Sequence, residues 1–325
     1  MTDVDVMLIS EVLGVPVRKL YMLSCDRVPR QKRGGSYSNY HQSVIYTGRT
    51  KKKRVLTVPN GFLKLVQRRI LDRCLSKLSV SEYATAYRKG TSVRDNALLH
   101  TGKEFIIKLD ISGFFDSIND DAVYMVMKQF RLSPRATSLM THLCVHRGVL
   151  PQGAPTSPYI ANLVMKHFDE HIGAWCAERN ITYSRYCDDM TFSGSRDDLL
   201  GSRLVGKVGR KLYAMGFTLN REKTVFAGSS QRQTVTGLVV NEKANLPREK
   251  RRELRQEVYY CLKYGVREHL LQRGSSDDPL RYINGLMGRL AYQLQQRPED
   301  ETLRESFEKL KELREKEAQN EEKSD

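Results

Sequence analysis

The chain has 325 residues, 40% of them hydrophobic, which is enough apolar material for a sizeable core and excludes a disordered tail or a stapled mini-protein. Lys and Arg total 54 against 38 Asp and Glu, a net charge of +16 that points to a polyanionic partner, because basic side chains displace condensed counterions from nucleic acid. The excess is uneven: residues 299–325 carry 11 acids and 6 bases, so residues 1–298 hold +21 and the acidic end is expected to stay off phosphate.

Residues 1–24 have helical spacing and predict one or two short helices. Arg27, Arg30, Lys32, Arg33, Arg49, Lys51, Lys52, Lys53 and Arg54 crowd around Gly34-Gly35, predicting a basic hairpin with strands at 43–46 and 54–58. Pro59-Asn60-Gly61 breaks the chain before a helix over 62–78. Phe105 to Leu109 reads as a buried central strand ending at Asp110. Helices are predicted over 120–130, from Ser133-Pro134, and over 158–175, with a Pro/Gly-rich loop at 150–157. Residues 182–193 read as two strands around an Asp188-Asp189 turn, 199–215 as a helix, and 223–227 and 233–240 as strands. Beyond 242–246 the texture turns helical: a basic helix from Pro247 to about Tyr264, another over 280–295, and a last one striped by Leu303, Phe307, Leu310 and Leu313. Cysteines at 25, 74, 144, 176, 187 and 261 include no C-x-x-C pair, which disfavours structural zinc and fits a reducing compartment. With no leader pattern at Met1–Asp5 and no long apolar run, a cytoplasmic protein without a membrane partner is expected.

Three constellations carry chemistry. In Tyr186-Cys187-Asp188-Asp189, two adjacent carboxylates repel unless a cation or full solvation relieves them. An acidic hairpin tip is the plain alternative, but strand formers on both sides would present these acids at one end of a sheet. Asp110 would join them if its strand ends beside theirs. Three carboxylates suit two hard cations, and magnesium ions about 3.5–4 Å apart activate an attacking hydroxyl and neutralise a leaving phosphate. The third is Pro151-Gln152-Gly153-Ala154-Pro155-Thr156-Ser157-Pro158, a stiff loop whose backbone is open to a flat ligand. Two patterns are decoys. His167-Phe168-Asp169-Glu170-His171 fits H-x-x-E-H but lacks a third zinc ligand, and Asp116, Asp120 and Asp121 read as helix capping. Tyr259, Tyr260, Tyr264, Tyr282 and Tyr292 are divided between base stacking and plain core.

The order Leu109-Asp110…Phe115, the 151–158 loop, Tyr-Cys-Asp-Asp, and Gly216…Asn220-Arg221-Glu222-Lys223-Thr224 resembles reverse transcriptases. Asn96-Ala97-Leu98-Leu99-His100 is similar to the NAxxH element, and Val235-Thr236-Gly237 to the VTG element, of bacterial retron reverse transcriptases. The resemblance spans roughly residues 50–295. It implies an α+β right-hand polymerase: N-terminal helices and fingers over 1–105, an antiparallel-sheet palm over 106–242 with finger insertions near 120–150, and an α-helical thumb with an acidic C-terminal helix over 243–325. It implies RNA-directed DNA synthesis from dNTPs with two Mg²⁺ ions, Mn²⁺ being a possible substitute. Asp110 and Asp188 would hold metal, Asp189 would complete the cluster, and Lys223 would be a general acid near the pyrophosphate. Phe115 would be the steric gate against a 2′-OH. Gln152 and Gly153 would contact nucleotide and template, and Arg54 with Lys52 or Lys53 the triphosphate. Cys187 replaces the alanine of many retron enzymes and is expected to pack rather than react. Asn96, His100, Val235, Thr236 and Gly237 would recognise a partner RNA, whose stem Arg248, Arg251, Arg252 and Arg255 would hold. Retron kinship further implies a structured non-coding RNA as template and primer. Priming at an internal guanosine 2′-OH would give a branched RNA–DNA product (msDNA). An accessory effector or toxin protein is implied as well, in an anti-phage or toxin–antitoxin system. The alternatives are a group II intron-like or diversity-generating reverse transcriptase, a two-metal nuclease, and a structural RNA-binding protein.

Overall fold

The computed structural model describes residues 3–25, 38–47 and 52–322; the basic positions at 27–33 and 49–51 lie outside the described residues. The chain divides into two units, Met1–Thr91 with Phe105–Phe226, and Ser92–Glu104 with Ala227–Asp325. The second unit thus begins well before residue 243 and also takes in a short earlier segment.

The first unit opens with α1 (Val4–Leu13) and α2 (Val17–Ser24), followed by the hairpin β1 (Tyr40–Thr47) and β2 (Lys52–Pro59) and by α3 (Gly61–Arg73). Asn60 starts α3 by accepting the Leu63 amide at 3.2 Å, the N-cap role that a Pro-Asn-Gly break favours. After α4 (Val93–Leu98), which belongs to the second unit, comes β3 (Phe105–Ser112). Ile106, Ile107, Leu109 and Ile111 on β3 are each 1% exposed, so both faces of the strand are covered, as its unbroken apolar run predicts. The strand runs past Asp110 to Ser112, because the Ile111 amide pairs with the Asp188 carbonyl at 3.1 Å.

Next come α5 (Asp120–Met127), α6 (Pro134–His142) and the long α7 (Ser157–Ala177). Asn119, not an aspartate, caps α5 by accepting the Ala122 amide at 3.0 Å, while Asp120 and Asp121 fill the first turn. Then β4 (Thr182–Tyr186) and β5 (Asp189–Gly194) pair antiparallel, with Tyr186 opposite Asp189. The turn is therefore Cys187-Asp188, one residue earlier than the sequence reading placed it. Cys187 sits at φ 62°, the positive value a two-residue hairpin needs at its first turn position. The predicted 199–215 helix is two, α8 (Arg196–Gly201) and α9 (Leu204–Ala214), separated at Arg203 with φ 51°. β6 (Thr218–Gly228) completes a four-stranded sheet of order β4-β5-β3-β6.

The second unit holds α4, the two-residue strands β7 (Thr234–Val235) and β8 (Leu238–Val239), and α10 (Arg248–Tyr264), α11 (Val266–Gln272), α12 (Pro279–Gln296) and α13 (Glu301–Glu322). Leu254, Val258, Cys261, Ile283, Leu286, Leu290, Leu303 and Leu310 form its own core. Among the described residues, no helix is long and apolar enough to cross a membrane.

Candidate active site

Asp110 on β3 lies directly opposite Asp189 on β5, so two carboxylates 79 positions apart share one face of the sheet. Directly opposed antiparallel residues bring their Cβ atoms to about 4.5–5.5 Å. Asp188 precedes Asp189 in the turn, and its carbonyl is the one held by Ile111. Lys223 reaches in from β6 and donates to both Asp110 oxygens, at 2.9 and 2.8 Å. Hydrogen bonding to Asp110, and then the charges of Asp110, Asp188 and Asp189, hold the Lys223 ammonium above its ordinary pKa. Burial first, with Asp188 and Asp110 adding repulsion against the pull of Lys108 and Lys223, lifts the Asp189 carboxyl above its usual range. The three aspartates thus share one electrostatic field.

Do these residues fit the metal ions that the resemblance implies? Among the described residues, no three His, Cys, Asp or Glu side chains form a ready-made metal site. The donor chemistry nevertheless fits. An all-carboxylate set suits hard, oxygen-seeking cations, and the lysine ammonium between the strands supplies the positive charge that such a cluster requires. Asp110 and Asp188 would hold the ions, with Asp189 beside them.

Cys187 is 9% exposed and receives a 3.5 Å hydrogen bond from the Tyr87 hydroxyl. Burial pushes its thiol up to about 12, so at neutral pH it is an unreactive packing group.

The Gln152-Gly153 loop docks on β2: the Thr57 amide donates to the Gln152 carbonyl at 2.8 Å. Gly153 has φ 122°, and a Cβ there would stand 3.1 Å from both the Thr57 carbonyl oxygen and Val58 Cγ2. Gly153→Ala is therefore expected to cost about 1–3 kcal/mol of local strain and to raise the KM for dNTPs several-fold. Thermal unfolding and steady-state incorporation check the two effects, and a native KM would detach this loop from the nucleotide. Lys53 and Arg54 are exposed on β2, opposite Tyr46 and Ile45; the Lys52 side chain lies outside the description. Phe115 follows the Gly113 bend (φ 55°), half-buried, with its ring 5.4 Å from that of Phe114.

In the second unit, hydrogen bonds tie the VTG turn and its flank to residues on either side of the NAxxH element. Thr236 and Gly237, at φ 47° and 83°, form the β7–β8 turn, and Thr236 Oγ1 donates to the Val93 carbonyl at 3.1 Å. The Gly102 amide donates to the Val240 carbonyl at 2.9 Å. Asn96, His100 and Val235, expected to help recognise RNA, lie in the interior of the unit. These residues are 1%, 0% and 0% exposed, so they build the framework, and Thr236 and Gly237 are what reaches the surface. Burial drops the His100 imidazole to about 3, which keeps it neutral and removes it as a phosphate-binding cation. On α10, Arg248, Arg252 and Arg255 are exposed, whereas Arg251 is half-buried and donates through Nε to the Leu246 carbonyl at 3.1 Å. Burial, then the neighbouring Arg297, Arg255 and Arg248, pulls the Arg251 pKa down, a sign of dense positive charge.

Sequence reasoning missed a buried network beside the Cys187-Asp188 turn. Arg185 pairs with Asp169, a residue noticed only within the zinc-like pattern. The histidines of that pattern face away: the His167 side chain is 94% exposed beside Glu170, and His171 is exposed. The available signal was a lone arginine inside an otherwise buried strand.

The family described as reverse transcriptase (RNA-dependent DNA polymerase) matches residues 37–241. Retron Ec86 reverse transcriptase of Escherichia coli is 33% identical over 237 residues, covering 70% of this chain and 72% of that protein. Retron Mx65 reverse transcriptase of Myxococcus xanthus is 30% identical over 310 residues, covering 90% and 68%. Among solved structures, the apo telomerase from Candida tropicalis truncated from its C-terminal domain aligns with a TM-score of 0.46 at 17% identity; the match covers 67% of this chain and 56% of that one. An antiparallel sheet that gathers its aspartates at one turn, and relatives that match across both units, lead to one conclusion: the chain belongs to the reverse transcriptase family, in its bacterial retron branch, and is an RNA-directed DNA polymerase with the right-hand fold.

Proposed function

We propose that this protein copies a structured non-coding RNA into DNA, starting from an internal guanosine 2′-OH of that RNA and leaving a branched RNA-linked product. The observation that carries the chemistry is the gathering of Asp110 and Asp189 across β3 and β5, with Asp188 in the adjoining turn and Lys223 bridging to Asp110. Two divalent cations, magnesium or manganese in its place, supply activation of the priming hydroxyl and neutralisation of the leaving pyrophosphate when bound. The chain's own residues do the rest. Lys53 and Arg54 balance a triphosphate of about four negative charges. Gln152 and Gly153 support nucleotide and template, and Phe115 lies beneath the sugar. Lys223, held protonated by the surrounding carboxylates, donates a proton to the pyrophosphate.

The retron part of the reading is supported by the relatives' names and by the NAxxH and VTG elements lying in one unit. The decisive experiment combines the protein with the RNA transcribed next to its gene, dNTPs and Mg²⁺. DNA that stays joined to RNA is expected, and its formation stops when the priming guanosine is replaced by 2′-deoxyguanosine. Free, unbranched DNA made equally from both RNAs would overturn the priming reading. An accessory effector or toxin, and a role in phage defence or toxin control, extend the same reading. A locus carrying Asp188→Asn is then expected to lose protection in phage plating.

The exposed arginines of α10 make the RNA surface testable. Arg248→Ala, Arg252→Ala and Arg255→Ala together are expected to weaken RNA binding about tenfold and to flatten its log–log salt slope by about 2–3. Arg251 is left in place because it also holds the Leu246 carbonyl. Anisotropy titrations over a salt series check this, and an unaltered slope would move the RNA surface elsewhere.

A further inference from the structure

Arg185 is 0% exposed and is the largest fully buried side chain among the described residues. Its partner Asp169, on α7, is also 0% exposed. The guanidinium grips that carboxylate with both forks, Nε to Oδ1 at 2.9 Å and Nη2 to Oδ2 at 2.5 Å. Its remaining nitrogen, Nη1, donates to the Cys187 carbonyl at 2.8 Å and to Asn162 Oδ1 at 3.2 Å. The Tyr183 hydroxyl supplies a further donor to Asp169 at 2.8 Å. Around the pair, the Arg185 amide bonds the Tyr83 carbonyl at 2.8 Å, the Thr85 amide bonds the Arg185 carbonyl at 2.9 Å, and Asn162 Nδ2 bonds the Ala86 carbonyl at 2.8 Å. One guanidinium thus joins α7, the 83–86 segment and the turn that carries Asp188.

A buried ion pair is a poor device for stability alone. Desolvating two charges consumes most of their attraction, and well-packed apolar replacements are often as stable. Burial opposes the charge on Arg185, yet Asp169 more than offsets it and keeps the guanidinium above its ordinary pKa. What an apolar pair cannot supply is a donor for the Cys187 carbonyl. That carbonyl belongs to the peptide plane shared with Asp188, at a residue whose φ of 62° is costly for a non-glycine. Fixing this plane fixes the direction in which the Asp188 side chain leaves the backbone.

We propose that Arg185 and Asp169 are a positioning pair, which orients the Cys187-Asp188 peptide and through it the catalytic carboxylate; the proposal rests on the reading of Asp188 as a metal ligand. Neither residue touches substrate. The pair acts as the rigid support that a site needs if its reacting groups are to hold their geometry.

The test compares the full-length native protein with Arg185→Lys and with the apolar double variant Arg185→Met/Asp169→Leu. Each is checked for a cooperative melt, then measured for kcat, for KM toward dNTPs, and for Mn²⁺ affinity without substrates by electron paramagnetic resonance. The apolar pair removes both charges but strands the Cys187 carbonyl, Asn162 Oδ1 and the Tyr183 hydroxyl, so its melt is expected to stay cooperative at a temperature lowered by several degrees. Its kcat is expected to fall about 30-fold and its Mn²⁺ affinity about tenfold, with dNTP KM changed less than about threefold, since orientation of one metal-binding carboxylate is lost while nucleotide contacts remain. Arg185→Lys keeps the charge but not the fork, so it is expected to keep a cooperative melt at a temperature lowered by several degrees while losing about tenfold in kcat. Native kcat and native Mn²⁺ affinity in either folded variant would overturn the proposal, and Arg185→Lys decides alone if the double variant does not fold. Asp188→Asn run in parallel separates the two failures. If it retains activity, the metal-ligand reading itself is lost; if it is inactive while both Arg185 variants are native, only the positioning role is lost.

Discussion

Asp188→Asn is expected to reduce DNA synthesis by at least about 10³-fold while leaving folding and RNA binding intact. A catalytic metal ion contributes several kcal/mol of charge stabilisation, and each 1.36 kcal/mol is a factor of about ten in rate, so losing one ligand charge reaches this size. The fold should not suffer. Asp189 is already lifted above the usual carboxylate range by burial, with Asp188 and Asp110 adding repulsion, so removing one of these charges relieves the turn. The Asp188 carbonyl that anchors β3 is backbone and survives the substitution. Melting temperature is therefore expected to hold or rise slightly. Asp110→Asn loses activity similarly but also weakens the Lys223 contacts, so it is the less clean variant. Single-turnover incorporation, thermal unfolding and RNA titration make the comparison. Activity above about a tenth of native in Asp188→Asn would remove this carboxylate from the metal site.

Features governed by local pattern were legible in the sequence, and features governed by long-range pairing were not. The continuous run from Phe105 to Leu109 announced a strand buried on both faces, and so it is. Its end was misplaced because the bond from the Ile111 amide to the Asp188 carbonyl joins residues far apart in the chain. The hairpin was legible from its strand formers, but the turn slipped by one residue, since nothing about a cysteine signals a positive φ at 187. The break at Arg203 was hidden for the same reason: arginine carries no turn signal, yet it takes φ 51° there. The aspartates could be chosen by chemistry and order alone, because a cluster of carboxylates is unusual and its spacing is distinctive. Asn96 and His100 are 1% and 0% exposed, and nothing in the local pattern at 96–100 signals that burial. The bonds that join their neighbours Val93 and Gly102 to Thr236 and Val240 reach more than a hundred residues downstream. Arg185 escaped notice for a related reason: a charge within a strand reads as solvent-facing unless its buried partner, 16 residues away, is known.

Phe115→Ala is expected to shift selection toward ribonucleotides by about 10²-fold, read as the ratio of kcat/KM for a dNTP over its matched rNTP. The physical basis is the asymmetry of hydroxyl rejection. A site with no polar partner for an extra hydroxyl discriminates against it by about 10² at most, and that margin depends on a rigid surface filling the space the hydroxyl would occupy. Phe115 can provide such a surface. It lies five residues beyond Asp110, where the chain bends at Gly113, and its half-buried ring leans on Phe114, itself buried at 3% exposure. That backing removes the freedom that would let the ring swing aside. Truncation to alanine opens the space without disturbing Asp110 or its lysine partner, so dNTP kcat should change far less than the ratio does. Because Phe115 also packs against the core, the variant is expected to lose about 1–2 kcal/mol of stability, less than a fully buried phenylalanine would. Phe115→Tyr serves as the control, since it keeps the ring and should keep the selectivity. If the ratio is unchanged in Phe115→Ala while the protein remains folded and active on dNTPs, sugar discrimination belongs to another surface of the site.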